Sequence, residues 1–322
     1  MIIIFVAIIC SVSPFFVFSQ PQESLKNKYA YYLRGLLFIE NGDFNLALKE
    51  LNQAKMLDPT SISIRLKIIY SLIQLGEFSR AEKELKVIKK IDPNNPKISL
   101  VLSLLYSFQG KDLELEKEYE EFLKLSYAKE PSNRQIAENL AQFYIYKNRY
   151  NEAINIYQEI VKNDPEYVDG LFWLGYLYEE TNRRQDAIRL WELALKISPS
   201  HALVLNSLGY IYAEEGINLD AAEEMIKKAL NSEPENGAFL DSLGWVYFKK
   251  NDYKNAEYYL LAAYNLLKDP VIYEHLGDLY IRLDMPQKAI FYYKEGLKYF
   301  PKNIKLREKL NMYGSQNKVI KK

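Results

Sequence analysis

The chain has 322 residues, 48% of them hydrophobic, which is enough apolar side chain for an extensive core. Lysine and arginine together number 42, and aspartate and glutamate also number 42, so no net charge attracts the chain to nucleic acid or anionic lipid. Cys10 is the only cysteine, which excludes a disulfide framework and cysteine-based metal or nucleophile chemistry in the body of the protein.

The first segment of the chain, Met1 to Phe18, contains no charged side chain. Its apolar run from Ile2 to Ile9 is typical of the core of an export signal, and Ser19 ends a small-residue cleavage pattern. We therefore expect a signal peptide at 1–19, a mature terminus at Gln20 and a short lead-in at 20–27. No lysine or arginine precedes the apolar run, so the alternative is an uncleaved membrane anchor at 1–18.

From residue 28 onward the same residue types recur about every 34 positions. The interval is 34 residues from Pro59 to Pro93, from Pro131 to Pro165 and from Pro165 to Pro199. A fixed period of this size predicts a stack of helical hairpins, because one hairpin cannot bury its apolar face alone.

The fifth repeat, which begins at Val168, shows the pattern most clearly. Gly175 and Ala187 stand at positions 8 and 20 of the repeat, where small side chains let the two helices of a hairpin approach closely. Tyr178 and Trp191, at positions 11 and 24, are expected to fill the space around that contact. Pro199 ends the second helix, so each repeat reads as one hairpin.

This arrangement resembles the tetratricopeptide repeat family, and the match continues in phase through the chain. The small residue and aromatic at positions 8 and 11 recur as Gly35 and Phe38, Ala141 and Tyr144, Gly209 and Tyr212, Gly244 and Tyr247, and Gly277 and Tyr280. The resemblance implies an all-α, right-handed solenoid of about eight hairpins over residues 28–313. A capping helix is expected at 302–313, followed by a basic tail at 314–322.

The third repeat, at 96–133, departs from the pattern. Leu115 stands where alanine is expected, and Pro131 arrives four residues late. The predicted second helix of this repeat also carries five glutamates between Leu113 and Leu125. We favour a longer, solvated helix, and the alternative is a bend that separates repeats one to three from repeats four to eight.

Catalytic constellations are missing from the sequence. The only histidines, His201 and His275, are 74 residues apart, and neither a metalloprotease motif nor a glycine-rich phosphate loop is present. For His275, beside Glu274, a surface or ligand-contact role is favoured over a metal or base role. The sequence therefore predicts a protein that is not an enzyme and that uses no metal or cofactor.

The family resemblance implies a concave groove lined by the first helix of each hairpin, with positions 5 and 9 among its contact positions. In repeats five to eight, position 5 is occupied by Phe172, Asn206, Asp241 and Glu274. Position 9 is occupied by Tyr176, Tyr210, Trp245 and Asp278. Such a surface suits an extended peptide or a glycan, because aromatic faces supply contact area and polar groups fix orientation. Trp245 is then expected to expose part of its ring. The alternative is that these aromatics only pack between neighbouring helices.

The resemblance implies a non-catalytic scaffold that binds a protein or extended peptide. The N-terminal segment adds the expectation of export, and the balanced charge argues against a role for nucleic acid. Repeats such as the one around Gly209 and Tyr210 are similar to those of bacterial cell-envelope proteins, which points to a periplasmic location and envelope assembly. Two alternatives stay open. One is a glycan-binding protein that assists polysaccharide or peptidoglycan assembly, and the other is an assembly factor that contacts the membrane through an uncleaved N-terminal segment.

Overall fold

The computed structural model describes residues 22–319, so the predicted signal peptide lies outside the described residues. Within this range the protein has seventeen helices and no strand, and it forms about eight hairpins plus a capping helix, as predicted. In chain order the helices are α1 (Gln22–Glu40), α2 (Phe44–Leu57), α3 (Ile62–Gln74), α4 (Phe78–Ile91), α5 (Pro96–Gln109), α6 (Asp112–Lys129), α7 (Arg134–Tyr146), α8 (Tyr150–Asn163), α9 (Val168–Glu180), α10 (Arg184–Ile197), α11 (Ala202–Glu215), α12 (Leu219–Ser232), α13 (Gly237–Lys249), α14 (Tyr253–Leu266), α15 (Pro270–Arg282), α16 (Pro286–Tyr299) and α17 (Ile304–Val319).

Every hairpin turns through a residue with positive φ, a conformation that glycine, asparagine and aspartate adopt at the least cost. These residues, with φ between 47° and 81°, are Gly42, Gly76, Gly110, Asn148, Asn182, Gly216 and Asn218, Asn251 and Asp284. The left-handed residue stops the first helix and lets the second start within a few residues. The turn chemistry therefore fixes the short connection that each hairpin needs.

Side-chain caps start many of the first helices, because the first N–H groups of a helix have no partner inside it. The Asn236 Oδ1 atom, for example, accepts from the backbone N–H groups of Ala238 and Phe239 at 3.0 and 3.3 Å. Ser61, Asn95, Asn133 and Asp269 play the same part for α3, α5, α7 and α15. The connection between hairpins is thus also encoded locally.

The close helix contacts predicted within the hairpins are present. A methyl group added at Gly175 would lie 2.8 Å from the Trp191 Cε2 atom, and one added at Gly244 would lie 2.7 Å from the Leu260 Cγ atom. Ala187 is completely buried opposite Gly175. The small residues at positions 8 and 20 therefore make room for the large residue at position 24.

The chain divides into two compact units, one ending at Arg149 and the other beginning at Tyr150. The core of the first unit contains Leu51, Ile69 and Leu102, all fully buried. One core cluster of the second unit runs from Ala213 to Leu306. The division falls inside the fourth predicted repeat, and the bend predicted at the third repeat stays a prediction.

Helix α6 of the third repeat is 18 residues long, against 14 for α4 and α8. Its glutamates are not simply solvated, because they pair with cations from neighbouring helices and turns. Glu118 is buried and accepts from Lys89 at 2.6 Å, and Glu116 accepts from Lys147 at 2.6 Å. Glu120 and Glu121 form further ion pairs. The expectation of a longer helix matches the structure, whereas the expectation of a solvated acidic face is wrong.

Helix α17 packs on the last hairpin through Leu306, which is fully buried, and through a stacked contact between Tyr313 and Tyr293. It begins at Ile304 and continues to Val319, so the first residues of the predicted basic tail at 314–322 are helical. The amphipathic stripe that predicts the cap therefore marks its start better than its end.

Candidate functional site

The eight predicted groove residues lie on the first helices of four successive hairpins, α9, α11, α13 and α15, all within the second unit. We call this set the first-helix strip: Phe172, Tyr176, Asn206, Tyr210, Asp241, Trp245, Glu274 and Asp278. Three members, Phe172, Asp241 and Trp245, are buried. The other five are partly exposed and form the accessible part of the strip.

Trp245 does not expose its ring, so that expectation is wrong. The side chain is 7% exposed, close to the 2% of Trp191. The indole stacks on the His275 ring at a centroid distance of 3.9 Å and on the Phe248 ring at 4.6 Å. Its Nε1–H group donates to the Glu214 carboxylate at 2.5 Å. Trp245, on α13, therefore packs against Glu214 of α11 and His275 of α15 and forms part of the buried base of the strip.

His275 is also buried, at 3% exposure, and is not the surface histidine that the sequence favours. Its Nδ1 atom lies 3.0 Å from both carboxylate oxygens of Asp241, one hairpin earlier. Both oxygens belong to one carboxylate, which accepts hydrogen bonds, so Nδ1 is the donor. The pair links α13 to α15. In the sequence, the only indication of this pair is that a carboxylate at position 5, Asp241, is followed 34 residues later by a histidine.

Tyr176 and Tyr210 are the partly exposed phenols of the strip. Burial raises the pKa of Tyr210 far above its ordinary value of 10, and the nearby carboxylates of Glu214, Asp241 and Glu274 raise it further. Burial and the charge of Glu180 raise the pKa of Tyr176 to about 12. Both hydroxyl groups therefore stay neutral hydrogen-bond donors across the physiological pH range.

The polar members of the strip differ in how well they are satisfied. The Asn206 Oδ1 atom is buried and has no hydrogen-bond partner among the described residues. Glu274 and Asp278 are both bound by Lys309 of α17, at 2.9 Å for Glu274, and Asp278 also accepts from Tyr293 at 2.7 Å. The strip therefore offers an unused acceptor on α11 and an occupied carboxylate pair on α15.

A separate shallow cleft of about 530 Å³ lies between α14, α15 and α16. Its walls include the rings of Tyr280, Phe291 and Tyr292, and it contains none of the strip residues. Glu257 and Lys288 supply one charge of each sign. This cleft is a further place in the C-terminal unit where aromatic side chains meet an open surface.

Residues 22–319 present phenols, carboxylates and an amide along the first-helix strip. Over this range no three histidine, cysteine, aspartate or glutamate side chains converge as ligands for a metal ion. No helix within the same range combines the length and the apolar character needed to cross a bilayer. What the strip offers is a row of phenols, carboxylates and one free amide oxygen on a rigid helical support.

Family models described as tetratricopeptide repeat match residues 38–105, 139–202, 211–270 and 271–303. The chain belongs to the tetratricopeptide repeat family. Tetratricopeptide repeats are generally non-catalytic scaffolds that mediate binding between proteins. That general role agrees with the partly exposed aromatic and polar side chains of the first-helix strip.

Solved structures agree on the fold. A tetratricopeptide repeat protein from Parabacteroides merdae is 18% identical with a TM-score of 0.57, over 77% of this chain and 97% of that one. A chain of the APC/C hetero-tetramer Cut9–Hcn1 is 18% identical with a TM-score of 0.55, over 84% of this chain and 52% of that one. TTC0263 from Thermus thermophilus is 20% identical with a TM-score of 0.50, over 56% and 98%. No curated protein matches the sequence.

Proposed function

We propose that this tetratricopeptide repeat protein is a non-catalytic scaffold that binds an extended segment of a protein partner along the first-helix strip. The observation that carries the proposal is the row of partly exposed polar and aromatic side chains, Tyr176, Asn206 and Tyr210, on consecutive first helices. Aromatic side chains with few rotatable bonds supply contact area at a low entropic cost. An amide and phenols beside them fix the orientation of a backbone.

Rigid support beneath the strip strengthens this proposal. Trp245 stacks between His275 and Phe248, and Asp241 holds His275, so the positions of α11, α13 and α15 are fixed by buried contacts. A surface that is already ordered loses less entropy when a partner binds. The burial of Phe172, Asp241 and Trp245 removes three predicted contact residues from the accessible surface, and Tyr176 and Tyr210 are the aromatic contacts that remain. Trp245 itself packs between neighbouring helices, which is the alternative to a groove contact.

Site-specific photo-crosslinking tests the proposal. A photoreactive amino acid replaces Tyr176 or Tyr210 in the native host, and the crosslinked products are identified by mass spectrometry. The matched control replaces Tyr258, which is 68% exposed on the second helix α14, and a further position is Phe291 in the shallow cleft. We expect one partner from both strip positions and none from Tyr258. Products that form only from Phe291 would move the binding site to the cleft.

We further propose that the scaffold acts in the cell envelope after export. The support is the uncharged apolar stretch of residues 1–18, with a small-residue cleavage pattern that ends at Ser19. Mass analysis of the protein purified from its host is expected to find Gln20 at the N-terminus in the extracytoplasmic fraction. An intact Met1 terminus in the membrane fraction would instead establish the anchor, and a cytosolic full-length chain would contradict export.

A further inference from the structure

Carboxylates outnumber cations on and beside the first-helix strip, although the whole chain carries 42 of each sign. The strip itself holds three carboxylates and no lysine or arginine. The last turns of α9 and α11 add Glu179, Glu180, Glu214 and Glu215. Arg184 pairs with Glu179 and Glu215, and Lys309 pairs with Glu274 and Asp278, whereas Lys249 donates to the backbone carbonyl of Glu214. A net negative surface of this kind attracts a cationic partner.

The chain itself shows how an ammonium group binds to the strip. Lys309 of the capping helix α17 reaches the carboxylates of Glu274 and Asp278, the position-5 and position-9 residues of the last hairpin. Although burial lowers the pKa of Lys309, the hydrogen bonds to Asp278 and Glu274 raise it overall, so the ammonium stays charged. Two side chains one turn apart on a first helix therefore suffice to hold a cation from another segment.

Two hairpins earlier, the same two positions are occupied by Asn206 and Tyr210. Arg184 is close enough to Tyr210 and Glu214 to interact with them electrostatically, but its ion pairs are with Glu179 and Glu215. The Asn206 Oδ1 atom is a buried acceptor without a donor, which costs free energy until a donor arrives. Burial raises the pKa of Tyr210, the charges of Glu214, Asp241 and Glu274 raise it further, and the charge of Arg184 lowers it. Asp241 is committed to His275, whereas Glu214 gives one oxygen to Trp245 and keeps a second oxygen able to accept.

We propose that the partner segment is cationic and that one of its arginine side chains docks at Asn206, Tyr210 and Glu214. This inference rests on the proposed function and adds the chemistry of the partner. Arginine fits better than lysine because its planar guanidinium group can lie against a phenol ring while its several N–H groups donate to neighbouring acceptors. An acidic segment would meet like charges at Glu214 and Glu274 and would leave the Asn206 acceptor unpaired.

Fluorescence anisotropy with labelled ten-residue peptides tests the inference on the full chain. The probes alternate alanine with arginine, glutamine or glutamate, so that only the charge changes. We expect the arginine peptide to bind most tightly and its affinity to fall as salt rises from 0.05 to 0.5 M, because screening shortens the reach of the carboxylates. Equal or tighter binding of the glutamate or glutamine peptide would overturn the inference without the use of any variant.

A double variant, Asn206→Ala with Glu214→Gln, locates the contact. Glutamine keeps an oxygen that can accept from the Trp245 indole, so the buried stack is preserved. We expect the arginine peptide to bind at least about tenfold more weakly, as loss of one charge-assisted hydrogen bond implies. The matched control is Glu192→Gln with Glu224→Gln, which removes two exposed carboxylates from the second helices α10 and α12 of the same unit. Equal binding by both double variants would overturn the assignment to Asn206 and Glu214.

The two proposals fail in different ways. If photo-crosslinking from Tyr210 captures a partner but the arginine peptide binds no better than the glutamine peptide, the proposed function stands and the cationic partner is rejected. If the arginine peptide binds but no crosslinks form at Tyr176 or Tyr210 in the host, the surface binds cations while the scaffold role along this strip is rejected.

Discussion

Two histidine–aspartate pairs with the same nitrogen–oxygen distance of 3.0 Å occupy opposite environments in the second unit. His275 and Asp241 have side chains that are 4% and 7% exposed, whereas His201 and Asp169 have side chains that are 20% and 57% exposed. A buried donor that loses its acceptor retains the full cost of desolvation, whereas an exposed one turns to water. The two pairs therefore form a natural comparison.

We predict that Asp241→Ala lowers the free energy of unfolding of the second unit by about 1–3 kcal/mol, because the His275 Nδ1–H group is left buried without an acceptor. Asp169→Ala, the matched control, should change it by about 0.5 kcal/mol or less. Chemical denaturation monitored by tryptophan fluorescence measures both, since Trp245 stacks on His275. Equal effects of the two substitutions would show that the buried pair contributes nothing specific.

A second residue-scale test concerns the contact of Gly175 with the Trp191 indole. We predict that Gly175→Ala destabilises the second unit by roughly 1–3 kcal/mol, because the new methyl group would lie 2.8–2.9 Å from indole carbons that are themselves buried. Gly314→Ala is the control, since its methyl group would lie 3.7 Å from the nearest atom, at Leu310. Thermal melts followed by circular dichroism compare the two, and an unchanged melt for Gly175→Ala would mean that the helices separate at little cost.

At the scale of elements, successive hairpins are joined by a repeated hydrogen bond. A tyrosine at position 11 donates to the glutamate that follows the small alanine in the second helix of the preceding hairpin. The pairs are Tyr106 with Glu82, Tyr247 with Glu223 and Tyr280 with Glu257, at 3.3, 2.8 and 2.6 Å. Lysines surround the first two carboxylates as well. The tyrosine that fills the hairpin thus also ties it to its neighbour.

This hydrogen bond should make hairpin stacking sensitive to acid. Partial burial would raise the pKa of Glu223, but hydrogen bonds from Lys227, Lys250 and Tyr247 lower it to about 2 from an ordinary 4.5. A lowered pKa stabilises the folded state above pH 4.5, and that contribution is lost as the pH falls from 4.5 towards 2. We therefore predict that Glu223→Gln destabilises the protein at pH 6 and that the difference from wild type shrinks at pH 2.5.

Urea denaturation at the two pH values measures this effect. The control is Glu224→Gln, the adjacent residue, whose side chain is 70% exposed and pairs only with Lys228 within α12. A difference between wild type and Glu223→Gln that stays constant from pH 6 to pH 2.5 would contradict the assignment, because the stabilisation would then not depend on the charge of Glu223.

The elements were predictable where their cause is local. Glycine at position 8 and alanine at position 20 act within one hairpin, so Gly175 and Ala187 can be read from spacing alone. Contacts between different hairpins could not be predicted from the spacing. Trp245 is buried by His275, 30 residues later, and the glutamates of α6 meet lysines and arginines 29–32 residues away. Such partners depend on which side chains happen to face each other, and the repeat pattern leaves them unspecified.

At the scale of the whole molecule, a stack of hairpins needs a polar or covered surface at each end, because every hairpin buries its apolar face against a neighbour. At the end of the described chain this surface is α17. Leu306 is fully buried against the last hairpin, Tyr313 stacks on Tyr293, and Lys309 neutralises Glu274 and Asp278. The capping helix therefore contributes packing and charge together.

We predict that a chain ending at Pro301 loses stability and self-associates. Removal of Leu306 alone is comparable to a large truncation in a core, which costs roughly 2–5 kcal/mol. The loss of Tyr313 exposes the Tyr293 ring, and the loss of Lys309 leaves Glu274 and Asp278 without their cation, although Asp278 still accepts from Tyr293. The control is a chain ending at Gly314, which keeps all three contacts. Thermal melts and size-exclusion chromatography over a range of protein concentrations compare the two. If the chain ending at Pro301 has the same melting temperature as the control and stays monodisperse, α17 is not needed for the stability of the stack. Lys309 would then affect only the surface charge of the strip, through Glu274 and Asp278.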